Sequence, residues 1–247
     1  MDILYVVMPA YNEEENIEKT IREWYPVVER HNGGGRSRLV IFNDGSKDRT
    51  YEKGLAMMEE FPLLEMKSKA NSGHGPTLLR AYEYAIRSGA DYVFQTDSDG
   101  QTDPKEFEAF WKARKKYDGI FGVRVKRGDG KQRAFVERVV CLLLRLYFGV
   151  RIPDANAPFR LMKAEVLEKY LKKLPEDYNL PNIMLTTYFS YYKEKTAFHR
   201  ISFKPRTAGT HSLNARRIAR IGWNALGDFA RLRKEMKGQC GRLGGRR

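Results

Sequence analysis

Cysteine is scarce in this chain. Only Cys141 and Cys240 occur in 247 residues. They make neither a disulfide framework nor a metal-ligand spacing, which excludes a stapled secreted scaffold and a zinc finger and predicts a reducing cytosol. The four histidines, His31, His74, His199 and His211, show no metal spacing either. Long hydrophobic runs are lacking: the longest, Val139 to Val150, is broken by Arg145 and is too short to span a bilayer. The apolar start, Ile3 to Ala10, has no basic leader and runs straight into Asn12-Glu13-Glu14-Glu15, so no signal peptide is expected. Low-complexity tracts and internal repeats are missing as well. These absences leave a globular protein that is soluble or peripheral to a membrane.

What is present supports a sizeable core: 42% of residues are hydrophobic and 31% charged. The net charge of +14 is unevenly spread. Between His211 and Arg247 ten Lys/Arg face only two acidic residues, Asp228 and Glu235, which points to an anionic surface, lipid headgroups or nucleic acid, as a partner. Within Asn214–Lys237, Ile218, Ile221, Ala225, Phe229, Leu232 and Met236 fall on one helical stripe, with basic residues outside it. That pattern suits an amphipathic helix, lying either on anionic lipid or against its own domain. A disordered basic tail, 238–247, is expected after it.

Upstream, short apolar runs alternate with helical periodicity. Ile3–Met8, Leu39–Phe42, Leu63–Met66, Tyr92–Thr96 and Ile120–Gly122 read as strands. Between them, Ile17, Ile21 and Val28 mark one helix, Thr50–Glu60 a second and Pro76–Ser88 a third. Pro104 suits the first position of a fourth over Lys105–Lys116. This order predicts an α/β fold with a mainly parallel sheet and helices on both faces, with ligands beyond the carboxyl ends of the strands. Polar clusters fall at all five strand ends: Pro9–Glu13, Asn43–Ser46, Asn71–Gly75, Asp97–Gln101 and Gly122–Arg124.

The fourth of these is the most informative. In Tyr92-Val-Phe-Gln-Thr-Asp97-Ser-Asp99-Gly-Gln101 an apolar run ends in two carboxylates one residue apart. On extended backbone, residues i and i+2 face the same way, so Asp97 and Asp99 can converge on one point. Mg²⁺ or Mn²⁺, shared with substrate phosphates, is the natural partner of such a pair. Taken alone, the string also reads as a solvated Asp/Gly turn.

Three strings taken together, Val7-Met-Pro-Ala-Tyr-Asn-Glu-Glu-Glu-Asn-Ile17, Asn43-Asp-Gly-Ser-Lys-Asp-Arg-Thr50 and Asp97-Ser-Asp-Gly-Gln101, resemble the family-2 glycosyltransferases with the GT-A (nucleotide-diphospho-sugar transferase) fold. The dolichol-phosphate mannosyltransferase and polyprenyl-phosphate glycosyltransferase branch is the most similar, over roughly residues 1–210. The resemblance implies that Pro9, Tyr11, Glu13, Asp44, Asp97, Ser98 and Arg124 bind the nucleotide sugar. It implies Asp97, Asp99 and Gln101 as ligands to Mg²⁺ or Mn²⁺, and Arg160 and Arg206 as acceptor- and phosphate-binding residues; Arg133 joins them as a basic residue expected beside an anionic acceptor. Asp99, Arg124 and Asp154 would take part in catalysis. The chain departs from the family's usual form in having Asn43-Asp44 where paired aspartates are common, in its loop Asp154-Ala-Asn-Ala-Pro-Phe-Arg160, and in a serine one place later after Arg206.

A nucleotide-sugar donor needs its diphosphate leaving group neutralised, by a divalent cation and by fixed basic side chains. The run Arg124-Val-Lys-Arg-Gly-Asp-Gly-Lys-Gln-Arg133 offers such side chains, Arg124 directly at a strand end. A polyprenyl phosphate is already an anion and needs positioning rather than a general base, whereas an alcohol acceptor would need one, with Asp154 the candidate. The expected activity is inverting hexose transfer to a polyprenyl phosphate at the inner, cytoplasmic face of a membrane, held there by the C-terminal helix. Two alternatives stay open: a soluble glycan acceptor, and a non-catalytic basic lipid- or nucleic-acid-binding protein. No nucleic-acid partner is expected of the enzyme, and oligomeric state is not legible. The domain expectation is a glycosyltransferase domain over 1–210, a basic amphipathic helix over 211–237 and the tail beyond.

Overall fold

The computed structural model describes residues 1–127, 131–205, 227–234 and 236. β1 (Leu4–Ala10) is buried at every position, as a strand covered on both faces must be. Its residues alternate between two cores: Leu4, Val6 and Met8 pack toward α1 (Ile17–Arg30), while Tyr5 and Val7 pack on the opposite face. α1 buries Ile17, Ile21, Trp24 and Val28, four positions at helical spacing.

The chain continues through β2 (Arg38–Asp44), α2 (Thr50–Met57), β3 (Leu64–Lys69), α3 (His74–Arg87) and β4 (Tyr92–Thr96). A 3₁₀ turn, Pro104–Glu106, capped by the Asp103 side chain, leads into α4 (Phe107–Ala113). Then come β5 (Gly119–Arg127), α5 (Lys131–Phe148), β6 (Phe159–Lys163), α6 (Ala164–Leu171), α7 (Pro181–Tyr191) and β7 (Thr196–Phe203).

The seven strands form one sheet in the order β3-β2-β1-β4-β6-β5-β7. β6 runs antiparallel to β4 and β5, and the remaining pairs are parallel. From β1 the chain steps outward to β2 and β3, then returns to β4 on the other side of β1. This reversal opens a crevice beyond the carboxyl ends of β1 and β4, where α/β sheets bind ligands. The GT-A-like α/β architecture read from the sequence is therefore present. β6 and β7 were not among the expected strands, and β5 continues to Arg127 instead of ending at Gly122.

Part of the expected C-terminal helix is described. Residues 227–234 are helical, and Phe229, Leu232 and Met236 join the main core. Phe229 packs its ring on Tyr147 and Phe148 of α5, with centroids 6.3 and 5.8 Å away. The described end of the apolar stripe is thus taken up by the domain itself and is not turned toward lipid. The rest of the expected helix and the tail from 237 lie outside the described residues.

Candidate active site

The crevice is walled by loops tied to one another by short polar side chains. Ser98 is buried, and its Oγ donates to the Pro9 carbonyl over 2.8 Å. Thr20 Oγ1 donates to the Ser98 carbonyl at 3.0 Å. With Ser98 turned inward, its neighbours Asp97 and Asp99 are left half-buried, as strand-like alternation requires. Asp97 Oδ1 accepts from Gln95 Nε2 at 3.1 Å, and Asp99 Oδ1 accepts from the Gln101 amide at 3.2 Å.

Across from this motif, the β1 and β2 loops are interlocked. Asn12, in the left-handed region at φ 53°, donates its amide to Ser46 Oγ and accepts from the Lys47 amide. The Glu13 amide donates to Thr50 Oγ1, and the buried Glu13 carboxylate accepts from Asn16 Nδ2 at 2.8 Å. Tyr11 stands exposed at the rim.

Asp44 organises the third wall. Its buried carboxylate accepts from Lys69 Nζ, from the Ser72 amide at 2.9 Å and from the Gly73 amide at 2.9 Å. A carboxylate offers about four lone-pair positions, so roughly one is left for a ligand. The close approach depends on Gly45, whose φ is +62° and whose Cβ, if it had one, would lie 2.8 Å from the Asn71 nitrogen. This loop delivers the N-terminus of α3. Its first residue, His74, is exposed in area yet surrounded by protein, as befits a side chain lining a cleft. Desolvation lowers its pKa, opposed by the nearby charges of Asp99 and Asp44.

A buried relay runs behind Asp97. Tyr82 Oη donates to Asn182 Oδ1 at 2.9 Å, Asn182 Nδ2 donates to Gln95 Oε1 at 3.2 Å, and Gln95 passes its own amide to Asp97. Neither Gln95 nor Asn182 was expected from the sequence. A polar residue in an apolar strand, as Gln95 is in Tyr-Val-Phe-Gln-Thr, is the signal that could have found the first.

The far side of the site is a set of buried charges. Arg124 forms a two-pronged pair with Asp154, Nε to Oδ2 and Nη2 to Oδ1, both at 2.8 Å. It also donates Nη2 to Glu137 Oε2 at 3.3 Å and lies over the Phe203 ring. Glu137 Oε1 accepts from the Ala155 amide at 2.8 Å, so this α5 residue grips the loop that follows Asp154. The sequence reading missed Glu137, the one acidic residue of α5.

Arg160 departs from its expected place at an acceptor phosphate. Its side chain is buried and donates to the carbonyls of Ala155, Ala157 and Asn182 and to Thr186 Oγ1. Burial pushes its pKa down, while Tyr82, Asp154 and Asp97 hold it up. It is a strut beneath the 154–157 loop. Gln101 is likewise engaged: Nε2 donates to the Lys204 carbonyl and its own carbonyl accepts from the Lys204 amide, both at 2.8 Å. This leaves Oε1 as its donor atom for a cation. Arg133 falls on the first turn of α5 with its side chain outside the described ones, and Arg206 lies outside the described residues.

The donor set fits a hard divalent cation shared with a substrate. No cluster of three or more His, Cys, Asp or Glu able to hold a metal occurs among the described residues. Two carboxylates and one amide oxygen are what the protein offers, which suits Mg²⁺ or Mn²⁺ completing its shell with phosphate oxygens and water.

Fold and site together define a glycosyltransferase of GT-A architecture. Residues 5–171 match the glycosyl transferase family 2 model, and the chain belongs to that family. It is 28% identical over 239 residues to a Bacillus subtilis (strain 168) protein named uncharacterized glycosyltransferase YkoT, covering 92% of this chain and 68% of that one. It is 26% identical over 174 residues to the undecaprenyl-phosphate 4-deoxy-4-formamido-L-arabinose transferase of Pseudomonas aeruginosa (strain LESB58), covering 69% of this chain and 50% of that protein. The chain thus spans about half the length of this second relative. Among solved structures, glucosyl-3-phosphoglycerate synthase from Mycobacterium tuberculosis, in complex with Mn²⁺, UDP and glucosyl-3-phosphoglycerate, superposes with a TM-score of 0.63 at 18% identity. That match covers 93% of this chain and 76% of the other.

Proposed function

We propose that this glycosyltransferase moves a hexose, with inversion, from a nucleotide-diphosphate sugar to a polyprenyl phosphate, using Mg²⁺ or Mn²⁺. The observation that carries the reading is the outward pair Asp97 and Asp99 at the switch point between β1 and β4, with Ser98 locked inward between them. Asp97, Asp99 and Gln101 Oε1 would hold the cation, which when bound supplies charge neutralisation to the departing diphosphate. Pro9, Tyr11, Glu13, Asp44 and Ser98 would form the nucleoside pocket, Glu13 and Asp44 accepting hydrogen bonds from ribose and base.

On the acceptor side, Asp154 is read as the holder of Arg124 in place of a general base, because both its oxygens accept from that guanidinium within a buried pair. This suits an acceptor that needs no deprotonation. A phosphate monoester attacks as an anion, so the site must position it and relieve repulsion with the donor phosphates. Arg133 and Arg206 are the proposed sources of positive charge, while Arg124 is held by Asp154 and Glu137 and Arg160 braces the 154–157 loop. A relative's name, undecaprenyl-phosphate 4-deoxy-4-formamido-L-arabinose transferase, supports the acceptor class. No helix among the described residues is long and apolar enough to cross a membrane; the proposed place of action is the inner face of a membrane.

The test is to incubate the protein with Mn²⁺, a panel of radiolabelled nucleotide sugars and a short-chain polyprenyl phosphate, then partition the products. Label in the organic phase, abolished by EDTA, is the expected result. Label confined to an aqueous glycan would replace the lipid acceptor with a soluble one, and no transfer from any donor would overturn the reading.

A further inference from the structure

α5 has two unlike faces. Its inner face carries Glu137, Cys141, Leu144 and Phe148, which meet the 154–157 loop and the main core. Its outer face carries Phe135, Val139, Leu142 and Leu146, 66%, 39%, 55% and 65% exposed. At 100° per residue these four fall within a stripe of about 60°, running about 16 Å along the helix. Val136 lies on one shoulder and the exposed Arg138 and Arg145 on the other. The only acidic residue of α5, Glu137, is turned inward, so the outer face carries no negative charge. Val125, one residue beyond Arg124, is 54% exposed and brings apolar surface to the edge of the site.

We propose that the outer face of α5 is the surface by which this protein docks on an anionic lipid bilayer. An exposed apolar stripe of this kind marks an interaction site. α5 is not long and apolar enough to cross a membrane, so its stripe would lie in the headgroup plane, Leu and Phe in the acyl boundary and the arginines reaching up to phosphates. A second copy of the chain is a poorer occupant. Packing two such stripes together would bring the Arg138 and Arg145 shoulders of both copies close, and the net charge of +14 opposes self-association. The C-terminal stripe is a poorer docking element than α5, because its described end is spent on Tyr147 and Phe148. The docking deepens the proposal of a lipid-borne acceptor but does not depend on it physically.

The experiment is co-sedimentation with vesicles of phosphatidylcholine alone or with one-third phosphatidylglycerol, for the wild type and for Leu142→Glu/Leu146→Glu. The wild type is expected to bind the anionic vesicles, less tightly as salt is raised, and the double variant to bind at least tenfold more weakly with an unchanged melting temperature. Equal binding by both proteins, or none by the wild type, overturns the proposal. So does a wild-type dimer in light scattering that the double variant abolishes, which would make a second copy the occupant. Transfer to a water-soluble short-chain polyprenyl phosphate without vesicles separates the two ideas. Vesicle binding without transfer refutes the acceptor reading and leaves the docking surface standing; transfer without vesicle binding does the reverse.

Discussion

The two sides of the crevice handle charge in opposite ways. On the β1–β4 side, the carboxylates of Asp97 and Asp99 are held by neutral amides and stay half-open to the cleft. On the β5–β6 side, Arg124, Glu137 and Asp154 are buried against one another, and Arg160 is spent on carbonyls. Two carboxylates converging at a strand end suit a bound divalent cation; a buried ion pair with matched geometry favours a fixed backbone. The first side is built to receive charge from outside and the second to hold a loop still. In the proposed function, the donor with its cation takes the open side and the acceptor phosphate lies beside the rigid one.

That comparison can be broken by mutation. Arg124→Ala is expected to cost the most, about 3–5 kcal/mol of stability, because it removes the guanidinium that the buried Asp154 and Glu137 carboxylates share; urea unfolding measures it, and a loss under 1 kcal/mol would mean the network is not structural. Asp99→Ala should leave the urea midpoint in place but lower transfer about 10²–10³-fold, read in single-turnover assays with Mn²⁺. Glu137→Gln keeps the shape and removes the charge. It should cost about 1–3 kcal/mol and raise the acceptor KM while leaving the donor KM unchanged, an imbalance that general destabilisation would not produce.

Cys141 gives a chemical readout of the same network without a mutation. Burial, and then the neighbouring Glu137 carboxylate, push its thiol up to about 12. Its thiolate is therefore nearly absent at pH 8, and alkylation of the Cys141 peptide should run roughly 10³-fold slower in the native protein than in urea. Comparable rates would show that the inner face of α5 is not held as described.

The first side was legible in the sequence for a physical reason. Its strands are buried on both faces and read as apolar runs, and polar residues follow directly at their ends, so the expected strand Tyr92–Thr96 matches β4 to the residue, with Asp97 and Asp99 immediately after it. The second side was hidden because its determinants are spread along the chain. Glu137, Asp154 and Arg160 come from a helix, a loop and an antiparallel strand, and meet only through tertiary packing. β6 carries Arg160 and Lys163 in five residues, and its charge masked a central strand. Arg160 looked like a ligand-binding arginine because sequence gives residue type without burial. For the C-terminal helix the periodicity was informative but the partner was not: the stripe that suits lipid equally suits Tyr147 and Phe148.

The central claim is that Asp97 and Asp99 form the cation and diphosphate site. Calorimetric titration of UDP, GDP and CDP, with and without Mn²⁺, into wild type and Asp99→Asn tests it most directly. One nucleotide should bind the wild type at least tenfold more tightly when Mn²⁺ is present, and Asp99→Asn should lose that gain while still binding the nucleotide alone. The same Mn²⁺ gain in Asp99→Asn as in the wild type would contradict the account.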